Sequence, residues 1–457
     1  MRKENMMYAG FSEIDITPPF GTDMPGDFIP HTANGTYGGL YVQAGAFTVG
    51  DESVILVSMD ILSSTVEYAS SLRRRIADGT GLSEDRVLVA AIHTHTGPAL
   101  EYDLWLCPAR PDIARTTADK TVRCALDAWK NRKAVSLSTL HFENDKYNFN
   151  RDFLLADGSA KMNPSSKDPA IVSPLGEADH SVDVLRVSDG DGKICGFIVN
   201  YANHPDCHGR DKYNFSADYP GYLRRALKAR YGEDVFVLFF NGTAGNVNCL
   251  DFVNKTHLSY YGEGKNAPET IGQGLADGII AREDEFVTAA EEGIAVRSVK
   301  RTVSRRLKAD ADVKWALAVA RDVLRDPKSR NTMDRAFAED YLHDDSGSGT
   351  VDIEVHVILL GPWAIVGLPG EIYTYIGKSI KAASPFDRTL IFELSNGTVG
   401  YVPPKEMIER EIYEAKVARI NSQCGPETAD LMINTAAELL NTLPASAPAS
   451  APASAGD

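Results

Sequence analysis

The sequence has little that would carry the chain to nucleic acid, to lipid or into an oxidising compartment. Its 457 residues hold 47 Lys and Arg against 63 Asp and Glu, a net charge of −16. A surface this acidic repels phosphate backbones and anionic lipid. No run is long and apolar enough to span a bilayer, so neither nucleic-acid binding nor a stable membrane association is expected. The six cysteines, at 107, 124, 195, 207, 249 and 424, form no CxxC pair. That argues against a disulfide framework or a Cys-rich zinc module and for reduced thiols. The first ten residues carry charge with no apolar run behind them, which fits a cytoplasmic location. Three further motifs are missing: a Gly-x-Ser-x-Gly elbow, a Walker-type phosphate loop and a Gly-x-Gly-x-x-Gly after a strand. Their absence disfavours a serine hydrolase, an NTPase and a nicotinamide enzyme.

What the chain does have is alternation. Apolar runs at 53–59, 87–92, 194–201, 235–240, 351–360 and 389–394 read as strands buried on both faces. Helical patterns are expected at 67–77, 113–130, 219–231, 268–282, 309–325, 333–342, 371–382, 405–418 and 426–440. This order predicts an α/β protein with covered sheets. From residue 444 onward the sequence repeats Ala, Ser and Pro. Such a tail builds no core and is expected to be disordered, leaving 1–443 as one domain.

Polar clusters fall at five strand ends: His93-Thr-His95-Thr-Gly-Pro98, Asn203-His204-Pro-Asp206-Cys-His208, Asn241 to Asn248, Leu368-Pro-Gly-Glu371, and Ser395 to Tyr401. Ligands gather outside the carboxyl ends of strands in α/β sheets, so these clusters are expected to meet in one pocket. His93 and His95, two apart on extended chain, address one centre; either both bind a metal, or one binds it while the other touches substrate. His204, fixed before Pro205, is a better ligand candidate than His208. Glu371 is either a first-turn acid facing a helix dipole or the oxygen ligand that completes a His, His, Glu set. Asp218 either orients His204 or caps the helix beginning near Tyr219. Tyr102, Leu104 and Trp105 either line the pocket mouth or pack.

Taken together, these motifs resemble the catalytic domain of neutral ceramidases and their bacterial relatives. Ser216-Ala-Asp-Tyr-Pro-Gly221, the opening Ile14-Asp-Ile-Thr-Pro-Pro19, Val182-Asp-Val-Leu-Arg-Val187 and Gly400-Tyr401-Val also match, and the likeness covers roughly residues 8–420. The resemblance implies two stacked, mainly mixed sheets flanked by helices. It implies a zinc ion held by His93, His204, Glu371 and Tyr401, with His95 and Tyr413 on the substrate carbonyl and its oxyanion and Arg151 as the active-site arginine. Two departures stand out. Asn248 occupies the place of the family's serine in a Gly-Asp-Val-Ser-Pro loop, and the family's C-terminal immunoglobulin-like domain is expected to be missing, since the sequence runs into the Ala/Ser/Pro tail.

The expected activity is therefore zinc-dependent hydrolysis of an amide or ester bond in a small, polar molecule other than ceramide. Bound zinc lowers the pKa of its water to about 7, which makes hydroxide available at neutral pH. Asn248 is expected to orient a carbonyl or stabilise an oxyanion, with Asn241, Asn246, Asp218 and Tyr102 around the substrate. Mixed N/O ligands also suit manganese or iron. Two alternatives remain at this stage. One is a metal-dependent lyase or hydrolase acting on a sugar or cyclitol, favoured by the Asn-rich loop. The other is a ligand-binding homologue without turnover.

Overall fold

The computed structural model describes residues 6–101, 103, 106–165, 168–209, 212–252, 267–289, 293–343, 349–418 and 421–444. The Ala/Ser/Pro tail beyond 444 and Tyr102, Leu104 and Trp105 lie outside them. The fold is mixed α/β, and its main part is four layers deep.

The larger sheet contains β1 (Met7–Asp15), β2 (Tyr41–Val49), β3 (Glu52–Met59), β4 (Val87–Ala91), β5 (Lys133–Glu143), β6 (Ser181–Asp189), β7 (Ile194–Tyr201) and β8 (Phe236–Asn241), in the order 8-7-6-5-1-2-3-4. A short strand, Val287–Thr288, pairs beside β5. The smaller sheet runs β9 (Ile294–Ser304), β10 (Thr350–Leu360), β11 (Trp363–Gly367), β12 (Thr389–Phe392). Alternation within each apolar run decides the layers. In β3, Ile55 and Val57 face the helices α1 (Val66–Thr80) and α2 (Pro111–Lys130), while Val54 and Leu56 face the other sheet. In β8, Val237 and Phe239 face α3 (Asp218–Tyr231) and α4 (Ala267–Ile280), while Leu238 and Phe240 meet Ile358, Leu390 and Phe392 between the sheets. The Phe240 and Phe392 rings stack there at 4.1 Å. The far face of the smaller sheet packs against α7 (Thr374–Ala383) and α8 (Thr428–Leu440). A helix hairpin, α5 (Asp310–Arg325) and α6 (Thr332–Leu342), is inserted between β9 and β10 and carries a small core of its own. Among the described residues no helix is long and apolar enough to cross a membrane.

Within these two sheets most strands pair antiparallel, but three pairs are parallel: β3 with β4, β7 with β8, and β11 with β12. Each parallel pair needs a crossover, and α1, α3 and α7 supply them. The larger sheet curls until Ser58 of β3 donates its hydroxyl to the Phe239 carbonyl of β8, at 2.6 Å. That curl and the stacked smaller sheet bring the loops leaving β3, β4, β7, β8, β11 and β12 together.

Two expected helices are shorter. The chain at 371–372 is extended and pairs parallel with Tyr401–Val402, and helix begins only at Thr374. Glu371 is thus a strand residue rather than a first-turn helical acid. The pattern at 405–418 splits into a turn of helix at Lys405–Glu409 and a 3₁₀ turn at Tyr413–Ala415, because Glu411 takes a left-handed φ of 53° between them.

Candidate metal centre

His93 follows β4 in the left-handed region, at φ 72°, a conformation that needs support from its surroundings for a residue with a side chain. Its amide bonds to the Ile61 carbonyl at 3.1 Å and its Nδ1 to the Leu62 carbonyl at 2.9 Å, so the loop leaving β3 aims the ring. His204, three residues past β7, is aimed in the same way by Nδ1 on the Ala244 carbonyl at 3.3 Å. These carbonyls hold the Nδ1 protons and turn both Nε2 atoms inward. The Nε2 of His204 lies 3.1 Å from the Nε2 of His93 and 3.1 Å from that of His95. Glu371 Oε2 is 3.1 Å from His93 Nε2 and 3.9 Å from His204 Nε2, and no hydrogen bond satisfies it.

These separations, 3.1–3.9 Å, bracket the spacing of ligand atoms around a bound ion. Ligand atoms about 2.0–2.2 Å from a tetrahedral zinc stand about 3.3–3.6 Å from each other. The buried His93 and His204 and the half-buried His95 have the donor set of a metal site, with Glu371 as an oxygen beside them. Burial, then the charges of neighbouring cations, holds the pKa values of His204 and His95 well below the usual imidazole range. Both rings are therefore neutral and fit to ligate. At His93 burial also lowers the pKa, but Glu371 reverses it and the net shift is upward. The cluster favours a positive charge, whether a proton or a cation.

Tyr401 stands beside these residues, its ring 5.5 Å from the Arg151 guanidinium, and burial, then the Glu371 charge, holds the pKa of its hydroxyl well above the usual range. Arg151 is held by Glu414 Oε1 through Nε–H and by the Gly245 carbonyl, each at 2.8 Å. Tyr413 completes this wall, its ring 5.9 Å from that of Tyr401 and 6.1 and 6.2 Å from Phe28 and Phe337. Burial pushes the Tyr413 pKa up, so its hydroxyl keeps its proton. His93, His95, His204, Glu371, Arg151, Tyr401 and Tyr413 all line one cavity of about 150 Å³.

Four expected site residues lie in the wall behind it. Asn241 bonds Glu393 through Nδ2 and the Asn203 amide through Oδ1. Asn246 Oδ1 accepts from the amide and hydroxyl of Thr374. Asn248 donates Nδ2 to Asn163 and accepts the Leu250 amide. Asp218 accepts the amides of Cys207 and Tyr219, so it neither orients the His204 ring nor faces a substrate. Their side-chain groups are committed to holding loops in place. His208 bonds Ser216 and stacks on Tyr37 away from the cavity.

Other residues here carry no obvious mark in the sequence. Glu393 is fully buried behind His93. It accepts from Asn241 Nδ2 and the amides of Ala244 and Ile372, at 3.0, 3.1 and 3.0 Å, and so ties three site loops together. Burial lifts its pKa to about 8. A lone acid at the end of the apolar run Leu390-Ile-Phe-Glu was its one sequence signal. Lys212, also buried, bridges Asp27 at 2.6 Å and Asp206 at 2.5 Å, and Asp206 faces the unbonded His95 Nδ1 at 3.6 Å. The lip Pro25–Phe28 closes over them; a Cβ on Gly26 would lie 2.0 Å from the His95 carbonyl oxygen, so only glycine allows that approach.

This architecture is a ceramidase-like fold. A neutral ceramidase from Pseudomonas aeruginosa superposes with a TM-score of 0.71 over 98% of this chain and 76% of its own, at 18% identity. A ceramidase complexed with C2 gives 0.70 over 98% and 77%, at 17% identity. In sequence, no family model and no curated protein matches the chain.

Proposed function

We propose that this chain is a metal-dependent hydrolase that cleaves an amide or ester bond of a small polar substrate bound in the cavity. The observation that carries this reading is the convergence of the neutral His204 and His95 rings, His93 and Glu371 on one point of a polar cavity. The likeness of the fold to ceramidases supports it. His93, His204 and Glu371 would hold the metal, zinc in the first instance, with Tyr401 beside Glu371. Such an ion, when bound with an open position, supplies a water of lowered pKa and polarises a carbonyl. His95, the protonated Tyr413 and the guanidinium of Arg151 surround the place where negative charge would develop on the carbonyl oxygen. Loss of one such donor typically costs about 3–4 kcal/mol of transition-state stabilisation.

The cavity holds about five water-sized groups. That suits a compact polar head. The Asn-rich loop, which suggested a sugar or cyclitol, keeps Asn241, Asn246 and Asn248 in hydrogen bonds within the wall, which favours the acyl reading. The test is metal analysis of the purified protein, followed by a panel of N-acyl amides and esters with stripped and zinc-reloaded enzyme. Turnover that needs metal and vanishes in His204→Ala and Glu371→Gln is expected. Near-stoichiometric zinc in both variants would remove these residues from the ligand set.

A further inference from the structure

Asn163 lines the cavity, and its backbone is held at φ 45°. Left-handed backbone at a non-glycine residue is retained where the surroundings enforce it, and such positions cluster at ligand sites. Here the surroundings are specific. The Asn163 amide N–H donates to the Arg151 carbonyl at 2.8 Å, and the Arg151 N–H to the Asn246 carbonyl at 3.0 Å. The side chain is fixed from behind by Asn248, whose Oδ1 accepts the Leu250 amide at 3.0 Å and whose Nδ2 donates to Asn163 Oδ1 at 2.7 Å. An amide has one acceptor end and one donor end. With the oxygen of Asn163 engaged by Asn248, its NH₂ is the end that this bond does not take.

We propose that Asn163 is a specificity residue that donates a hydrogen bond to an oxygen acceptor on the substrate, and that Asn248 is the positioning residue that sets which end of the amide is offered. This deepens the hydrolase reading and rests on it. The substrate class is an acyl compound whose small enclosed part bears a carbonyl, ether or hydroxyl oxygen besides the scissile carbonyl. A purely aliphatic acyl group leaves the Asn163 donor unpaired in a polar wall, and a site built to pair a polar group discriminates against analogues that lack it.

The test uses two isosteric metal-binding probes, butyrohydroxamate and methoxyacetohydroxamate, which differ by a methylene replaced with an ether oxygen. Calorimetric titration of the zinc-loaded protein is expected to favour the ether about fivefold, the worth of one net hydrogen bond. Asn163→Gly removes the amide while suiting the left-handed backbone. It should bring the ratio close to one. Asn248→Asp replaces the NH₂ that faces Asn163 with a carboxylate oxygen. It should turn the Asn163 amide around and abolish or invert the preference, a change that loss of packing alone does not produce. Thermal unfolding and zinc content serve as controls for folding. Equal binding of both probes by the wild type, or a preference that survives Asn163→Gly, overturns the assignment and leaves the metal reading standing. Failure of the zinc-treated wild type to bind either probe overturns the metal reading and this inference with it.

Discussion

His93 and His204 turn their Nε2 atoms toward each other at 3.1 Å, each ring anchored at Nδ1 by a main-chain carbonyl. Lone pairs this close repel, and Glu371 adds a carboxylate oxygen at the same distance from His93. A cation relieves that arrangement, so metal should stabilise the folded chain. At a free zinc concentration a thousand times its Kd, binding adds about 4 kcal/mol, read as a shift in the urea midpoint between chelated and reloaded protein. In His204→Ala most of that shift should disappear. Identical midpoints with and without zinc in the wild type would argue against a resident ion.

Arg151 and Glu414 form an ion pair with almost no exposure to solvent. Arg151→Met leaves the Glu414 carboxyl group buried without its cation, which costs about 3–5 kcal/mol. Adding Glu414→Gln to the same chain should recover at least half of the loss, because the stranded charge is then gone. Equilibrium unfolding of the two single variants and the double variant measures it. A double variant no more stable than Arg151→Met would place the damage in packing instead.

His356 makes the folded state acid-sensitive. It is fully buried, Nδ1 faces Asn396 Nδ2 at 3.0 Å, and burial, with Arg73 nearby, lowers its pKa to about 4. The unfolded chain takes up that proton near pH 6.5. Between these values the unfolded state binds more protons, so stability is complete above pH 6.5 and declines as pH falls toward 4, by about 3 kcal/mol in all. His356→Gln keeps an acceptor for Asn396 but does not titrate. Its unfolding free energy should depend less steeply on pH across that window, and parallel curves for the two proteins would rule the group out.

Lys212 fills a second cluster. Asp27, His95 and Asp206 offer ligand atoms within 4.8 Å of one another, and the Lys212 ammonium already binds both carboxylates. Lys212→Met removes the resident charge and exposes the three groups to an external cation. The variant should take up a second, weaker equivalent of zinc or manganese, counted by metal analysis after dialysis. A stoichiometry unchanged from the wild type would show that these groups do not form a site even when vacated.

Much of the frame was legible because burial on both faces leaves an unbroken apolar run. The strand Ile194–Tyr201 matches its run residue for residue, and His93 and His204 announced themselves as polar residues where such runs stop. Glu371 was harder to place. A Pro-Gly turn followed by a helical pattern reads as a helix start, but its backbone pairs with Tyr401, a partner no local window contains. The asparagines of 241–248 misled for the same reason, since nothing local tells an amide facing a ligand from one facing Glu393 or Thr374.

By itself the sequence determined the alternation of strands and helices, the covered sheets and the positions at which chemistry gathers, because these follow from side-chain periodicity along a short stretch of chain. The tertiary structure alone decided which of those polar residues share a cavity. It enclosed His95, Arg151 and Tyr413 with the metal-type cluster, turned Asn248 toward Asn163, and recruited Glu393 and Lys212 as braces. A hydrogen bond depends on the direction and distance between two groups, and for residues far apart in the chain only the packing of the sheets sets either one.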